Sequence, residues 1–236
     1  MAAEKPRDLA AAVYRADGRD VVAVLNERLW DDVLQLTGDG LLLAVAQSVD
    51  GAIELARDCA AKLREREWYG DEELADLLEA AVGDGPTPAL RSAPIDLEDL
   101  AGILEGDPMR GGGRIDLQTG QVYPDEFFDD ADLDDLGLDE DALEEPDRWL
   151  NVDCAGSRQG FRDMTLFIES LADEALAEKL RIAINGRGAF RRFRDVLWDT
   201  PESMQWQVFS DERKRGRARE WLAGAGYRPS IKNLKT

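Results

Sequence analysis

Charge is divided so unevenly along this chain that it limits how the chain can fold. Residues 1–156 hold 13 Lys and Arg against 39 Asp and Glu, a net of −26, whereas residues 157–236 hold 16 against 11, a net of +5. A portion carrying −26 repels itself when compacted. Its carboxylates must lie on solvated faces, meet a basic partner, or be set against the chain's own basic part. The asymmetry therefore implies either two surfaces with different partners or two portions that attract each other.

A chain of 236 residues with 44% apolar composition is long enough to bury a substantial core, as one large domain or two small ones. The longest apolar run, residues 41–46, is far below the roughly 18 residues needed to span a bilayer. The start, Met-Ala-Ala-Glu-Lys-Pro-Arg-Asp, lacks the apolar stretch of a signal peptide, so the expected location is the cytoplasm, with no membrane partner. Cys59 and Cys154 match no metal or redox spacing and read as small hydrophobes in a reducing compartment. The chain has no histidine. That absence excludes Ser-His-Asp and Cys-His triads, histidine zinc sites and a histidine pH switch; catalysis by carboxylates, lysine or a bound metal survives.

Apolar spacing predicts helices through the first 82 residues. Val21, Val22, Leu25, Leu29, Val33 and Leu36 recur at helical intervals, and Gly38 reads as the stop. A second helical stretch runs from Leu41, pauses at Asp50-Gly51 and continues through Cys59 and Leu63. Asp71 reads as an N-cap and Gly83 as the end of a stripe through Leu74, Leu77 and Leu78. The Gly- and Pro-rich stretch from 83 to 94 reads as a linker, followed by a short helix capped by Asp96. Gly111-Gly112-Gly113 reads as a flexible joint. Ile115 and Leu117, a turn at Gln118–Gln121, then Val122-Tyr123 predict a hairpin, and the alternation Leu150, Val152, Cys154 predicts a third strand. Beyond Gly160 the spacing is helical again.

The expected fold class is therefore mainly α with a small α+β part: an N-terminal helical bundle followed by a small antiparallel sheet packed with helices. The expected division is residues 1–90, a helical domain; 91–111, a linker with a short helix; and 112–236, an α+β domain containing an acidic loop, 125–147. That loop has 13 acidic residues and no Lys or Arg, a solvated segment by composition, with Phe127 and Phe128 among the few side chains able to dock. Asp130, Asp132 and Asp134 have the alternate spacing of a calcium loop, but Gly137 sits two places late for its turn. Asp129, Asp130, Asp132, Asp134 and Asp135 are the candidate acidic docking residues.

Basic and aromatic residues concentrate in two later segments. In Gly186-Arg-Gly-Ala-Phe-Arg-Arg-Phe-Arg-Asp195, Phe190, Phe193 and Leu197 are spaced to face a core, while Arg187, Arg191, Arg194 and Trp198 fall on another stripe if Arg187 lies close to the helical register. Guanidiniums beside an indole suit anion binding. Arg192 has Asp195 and Asp199 as helical neighbours and reads as internally paired. The Gly-Arg-Gly turn lacks the pattern of a nucleotide P-loop and reads as a helix-to-helix turn. Thr200-Pro201-Glu202 reads as a helix start, with Trp206 and Phe209 facing the core. Asp211-Glu-Arg-Lys-Arg-Gly-Arg-Ala-Arg219 reads as the opening of a last helix, where Arg213, Lys214, Arg215 and Arg217 would oppose the macrodipole unless a partner holds them.

Asp116–Val122, the acidic spacer, Trp149-Leu150, a helix with Met164 and Phe167, the string Gly186–Asp195, then Trp206, Phe209 and Trp221-Leu222 together resemble a bacterial protein family still labelled uncharacterised, family 0158 of the UPF class, over roughly residues 112–228. The resemblance implies a bacterial cytosolic protein with an α+β C-terminal domain, and brings no activity, cofactor or catalytic residue.

The function expected from these surfaces is a non-enzymatic interaction or regulatory role, with no cofactor and no metal. A basic surface (Arg187, Arg191, Arg194, Trp198, Arg213, Lys214, Arg215, Arg217) and an acidic one would bind partners, a protein being the expected kind. Nucleic acid is disfavoured by the net charge. Two alternatives are an acidic nucleic-acid mimic that captures a DNA-binding protein, and a carboxylate-metal enzyme with Asp116, Asp153 and Asp163 converging.

Overall fold

A computed structural model describes residues 5–27, 31–130, 145 and 147–231. The first five helices are α1 (Lys5–Tyr14), α2 (Gly18–Glu27), α3 (Leu34–Ala46), α4 (Ala52–Arg66) and α5 (Asp71–Val82). They bury one another's apolar stripes: Leu9, Leu25, Leu34, Leu63, Leu74 and Leu78 are each at most 1% exposed. Each such leucine contributes about 1.5–3 kcal/mol relative to an exposed one.

Gly38 does not stop a helix. α3 runs through Gly38 and Gly40, and packing explains both. A Cβ on Gly38 would lie 2.6 Å from Leu74 Cδ2, and one on Gly40 3.0 Å from Val13 Cγ2. The glycines let α1, α2 and α5 approach α3 closely, which offsets their low helix propensity. The turn at Gly51 and the end at Gly83 do use left-handed backbone, with φ of 81° and 80°. Asp71 is the first helical residue of α5 and not its cap, which is Gly70.

The stretch read as a linker contains a strand, β1 (Arg91–Ala93), before α6 (Leu97–Leu104), whose cap Asp96 accepts a hydrogen bond from the Glu98 N–H. The hairpin is β2 (Gly113–Asp116) with β3 (Val122–Pro124), and β4 (Trp149–Val152) pairs with the other edge of β2. All pairing in this three-stranded sheet is antiparallel, with Ile115 opposite Val122 and Leu150. Gly111-Gly112-Gly113 is not a loose joint. A Cβ on Gly112 would lie 2.0 Å from the Val152 oxygen, so glycine is required for close strand approach.

The acidic block opens as a short helix, α7 (Glu126–Asp130). Phe128 docks as anticipated, with its ring centroid 5.8 Å from Tyr123 and 5.9 Å from Trp149. Residues 131–144, the calcium-like spacing, and the candidate docking residues Asp132, Asp134 and Asp135 lie outside the described residues, as do the side chains of Asp129 and Asp130.

Four helices follow: α8 (Arg158–Ser170), α9 (Glu174–Ala183), α10 (Ala189–Leu197) and α11 (Glu202–Gly224). Phe193 and Leu197 are buried with Met164, Phe167 and Leu180, whereas Phe190 is 39% exposed. Trp206 packs edge-on to Phe193 at 4.7 Å between centroids. Thr200 does not cap α11; its hydroxyl donates to the Leu197 carbonyl, one turn back. Asp211 opens no new helix either. α11 is continuous for 23 residues, and its basic cluster therefore lies mid-helix, where the macrodipole exerts no terminal penalty. After α11 comes β5 (Tyr227–Pro229), which pairs in parallel with β1.

The fold is mainly helical, with eleven α-helices among the described residues and a small antiparallel sheet packed against them. α11 contacts α3, α5, α6, α8 and α10. No helix among the described residues is long and apolar enough to cross a membrane.

Candidate functional site

The basic residues of α11 alternate along the sequence, and the alternation has a geometric consequence. Arg213 and Arg217 form one i, i+4 pair, Arg215 and Arg219 another on the opposite side of the helix. Each pair clasps one buried aspartate. Asp163, on α8, receives Arg213 Nε on Oδ1 at 2.6 Å and stands 2.8 Å from Arg217 Nη1 through Oδ2. The second contact is an ion pair too oblique for a hydrogen bond. Asp39, on α3, holds Arg219 Nη2 at 2.6 Å and Arg215 Nη1 at 3.0 Å.

The cluster extends beyond these four arginines. Arg219 Nε donates to Gln35 Oε1 at 2.7 Å, and Gln35 Nε2 donates to Asp71 Oδ1 at 2.9 Å. Arg66 grips Asp71 through two nitrogens, at 2.6 and 2.8 Å, and Glu212 at 2.9 Å. Arg215 also reaches Glu98 at 2.7 Å, and Arg217 pairs with Glu105. Burial pushes the Glu212 carboxyl up against the pull of Arg66.

This geometry corrects the reading of Arg213, Arg215 and Arg217 as an open anion-binding surface. Arg213 is 8% exposed, and all three have carboxylates of this chain on their guanidiniums. Burying cations without such partners would cost several kcal/mol each, so internal pairing accounts for a charge run that helix stability leaves unexplained. Lys214 points differently: it is half-buried and has no ion pair among the described residues.

The other predicted cations are placed otherwise. Gly186 and Gly188 adopt φ of 82° and 76°, turning the chain sharply into α10. Arg191, Arg194 and Trp198 then share one exposed stripe of α10, with the exposed Arg187 in the turn before it, and the Trp198 indole is 80% exposed. Arg191 has one loose contact, 3.8 Å from Asp195 and largely exposed on both sides, a pair that contributes little. Arg187 and Arg194 have no ion pair among the described residues. Arg192 is not paired with Asp195 or Asp199. Its guanidinium donates to the carbonyls of Ala183 and Asn185, capping the end of α9, whose last carbonyls have no helical partner.

The three aspartates considered for a metal do not converge. Asp163 belongs to the α11 cluster, Asp153 is exposed, and Asp116 is buried under Arg148, whose Nη2 lies 2.8 Å from Oδ2. Among the described residues, no group of three Cys, Asp or Glu is placed to hold a metal ion. Burial would raise the Asp116 carboxyl, but the Arg148 guanidinium and the Gln118 N–H overcome it and hold the group below its ordinary value. A depressed carboxylate stabilises the fold above the unfolded-chain value near ~3.9, and that stability is lost as pH falls through the lower folded value. Asp116→Asn is therefore expected to lower the urea midpoint at neutral pH, with the gap to the unaltered protein closing below about pH 4. Parallel curves for the two proteins down to pH 2 would show that Asp116 has no such linkage.

Cys59 is buried, its thiol pushed up by that burial and directed at the Leu34 carbonyl 3.8 Å away. Cys154 is half-buried, with Sγ 3.1 Å from the Gly106 oxygen. Both are free thiols.

The sequence model of an uncharacterised protein family, UPF0158, matches residues 115–234. The chain belongs to this family. A UPF0158 protein of Pseudomonas aeruginosa is 27% identical over 148 residues, which take in 62% of this chain and 93% of the relative. No solved structure matches. The UPF0158 segment runs from β2 past β5 and contains the whole α10 stripe and all of α11. It also contains the Asp163 clasp and the Asp116–Arg148 pair. Asp39, Gln35, Arg66, Asp71, Glu98 and Glu105 all precede it, so in this chain the UPF0158 helix α11 is held on both sides by residues outside the matched segment.

Proposed function

We propose that the protein is a non-enzymatic interaction protein of the bacterial cytoplasm that binds an acidic partner protein through the face of α10. The observation that carries this reading is the contrast between two arginine sets. Those of α11 are spent on internal carboxylates; Arg191 and Arg194 share an exposed stripe with an indole that is 80% exposed, and Arg187 is exposed in the turn just before it. An exposed tryptophan has no folding role to explain it, and Trp with Arg is the combination most enriched at interface hot spots. The net charge of −21 disfavours a nucleic acid as the partner, because long-range repulsion grows with the length and charge of a polyanion. A short acidic protein segment meets only the local positive field. The free thiols and the Pseudomonas relative support the bacterial cytoplasm as the setting.

Fluorescence anisotropy with a short labelled glutamate-rich peptide tests the proposal. Binding is expected at low salt, weakening as salt rises, and is lost in the variant Arg187→Glu/Arg191→Glu/Arg194→Glu. No binding, or binding that survives the triple reversal, would sink it. Single-stranded RNA bound as tightly as that peptide would replace the protein partner by a nucleic acid.

A further inference from the structure

Arg194 belongs to two surfaces. It continues the α10 stripe, and it also stands at the mouth of a cleft of about 590 Å³ between α6, α8, α10 and α11. Met164, Phe193 and Trp206 form an apolar floor, and Phe190 forms a wall. Phe190 lies across Gly160, where an added Cβ would meet its ring at 3.2 Å. A cleft of this size, apolar below and polar at the mouth, has the dimensions of a small-ligand or side-chain pocket, roughly 300–1,000 Å³.

The mouth carries charges of both signs, but they are not equally available. Glu98 and Glu105 are already held by Arg215 and Arg217. Asp211, Arg194 and Lys214 are in no ion pair among the described residues, and burial pushes the Asp211 carboxyl up against the pull of Lys214. With two such cations against one carboxyl, the uncommitted charge at the mouth is net positive.

Gly102 bears on the room in the cleft. It sits inside α6, lines the cleft, has ordinary helical backbone, and leaves open space where a Cβ would lie. Nothing in the fold requires glycine there, unlike Gly38 or Gly112. A glycine inside a helix weakens it relative to alanine. What the missing Cβ preserves is room in the cleft.

We infer that the cleft receives one bulky apolar side chain of the acidic partner, with Arg194 and Lys214 engaging carboxylates on either side of that anchor. The inference rests on the reading of the α10 face and specifies its partner: an acidic peptide segment with an embedded apolar residue. The anchor supplies affinity by leaving water, and the flanking charges set orientation and encounter rate.

The test uses two short labelled glutamate-rich peptides, identical except for a central phenylalanine or alanine. The phenylalanine peptide binds the unaltered protein roughly tenfold tighter or more, the scale of an interface anchor. Gly102→Leu, which fills the cleft, abolishes that advantage while the alanine peptide binds as before. Gly102→Ala reduces the advantage and raises the melting temperature, which separates the effect from loss of folding. Equal binding of both peptides by the unaltered protein, or an advantage untouched by Gly102→Leu, overturns the anchor site and leaves the α10 reading standing. Failure of both peptides to bind overturns the anchor site and the α10 reading together.

Discussion

Arg219→Met is expected to lower stability by about 3–5 kcal/mol, the usual consequence of removing one partner from a buried ion pair. The guanidinium is 2% exposed and meets Asp39 and Gln35 at 2.6 and 2.7 Å. Methionine fills similar length but leaves Gln35 Oε1 without its donor and Asp39 with Arg215 alone. Asp39 is itself 2% exposed, so water cannot replace the lost partner. The measurement is the urea midpoint, with the slope checked for two-state behaviour. Asp39→Asn combined with Arg219→Met should cost less than the two single changes summed, by roughly 1–3 kcal/mol of coupling. The exposed pair Arg57–Asp84 supplies the contrast, since Arg57→Met should barely move the midpoint. An unchanged midpoint for Arg219→Met would mean that the buried cluster does not hold α11.

That cluster also shows where sequence reasoning ends. Charge asymmetry implies that the acidic and basic portions attract, and they do, but it names no pairs. Asp39 and Arg215 are 176 residues apart, and no local period links them. A signal was present all the same. Arg213, Arg215, Arg217 and Arg219 alternate, and in a helix alternation places cations on opposite sides. A helix of that kind has no single basic face to show to solvent, so an open patch was the less consistent reading. Reading Asp211 as a helix start hid this, because it moved the arginines to a first turn.

Elsewhere, legibility follows the range of the forces involved. Helices α1 to α6 and the hairpin are local in cause: apolar period, an Asp96 cap, a Gly120 turn. Helices α4 to α6 and the hairpin are legible to within a few residues. The division between α2 and α3 is not, because the apolar spacing from Val21 to Leu36 runs across the end of α2 at Glu27. β1 and β5 are three residues each and exist only through each other, so neither has a pattern of its own. Phe190 has core spacing, yet the cleft leaves it half open, because spacing reports a face and not whether a neighbour covers it. The alignment of Arg191, Arg194 and Trp198 depends on helical period alone and is legible as such, whereas Arg187 lies in the turn before α10 and outside its register. Glycines were the poorest guide: Gly38, Gly112 and Gly216 mark close approach, where composition suggests breaks or joints.

Gly216 carries the second large expectation. Where its Cβ would be lies the Tyr69 carbonyl oxygen, 2.1 Å away, and a Cβ on Gly70 would lie 2.2 Å from the Gly216 oxygen. The middle of α11 and the turn before α5 therefore meet backbone to backbone, each Cα hydrogen directed at the other segment's carbonyl. This contact sets Arg66 and Asp71 beside Gln35 and Glu212. Gly216→Ala cannot be relieved by a side-chain rotation, because the obstacle is main chain on an element fixed by the buried cluster. It is expected to cost ~3 kcal/mol, the upper end of ordinary overpacking. Gly224, near the end of the same helix, has open space at its Cβ position. There the same substitution should stabilise by up to about 1 kcal/mol through helix propensity. One substitution in one helix thus has opposite expected signs, which urea midpoints measure directly. If Gly216→Ala raises the midpoint as Gly224→Ala does, the backbone contact is absent, and the α11 cluster must be positioned by its ion pairs alone.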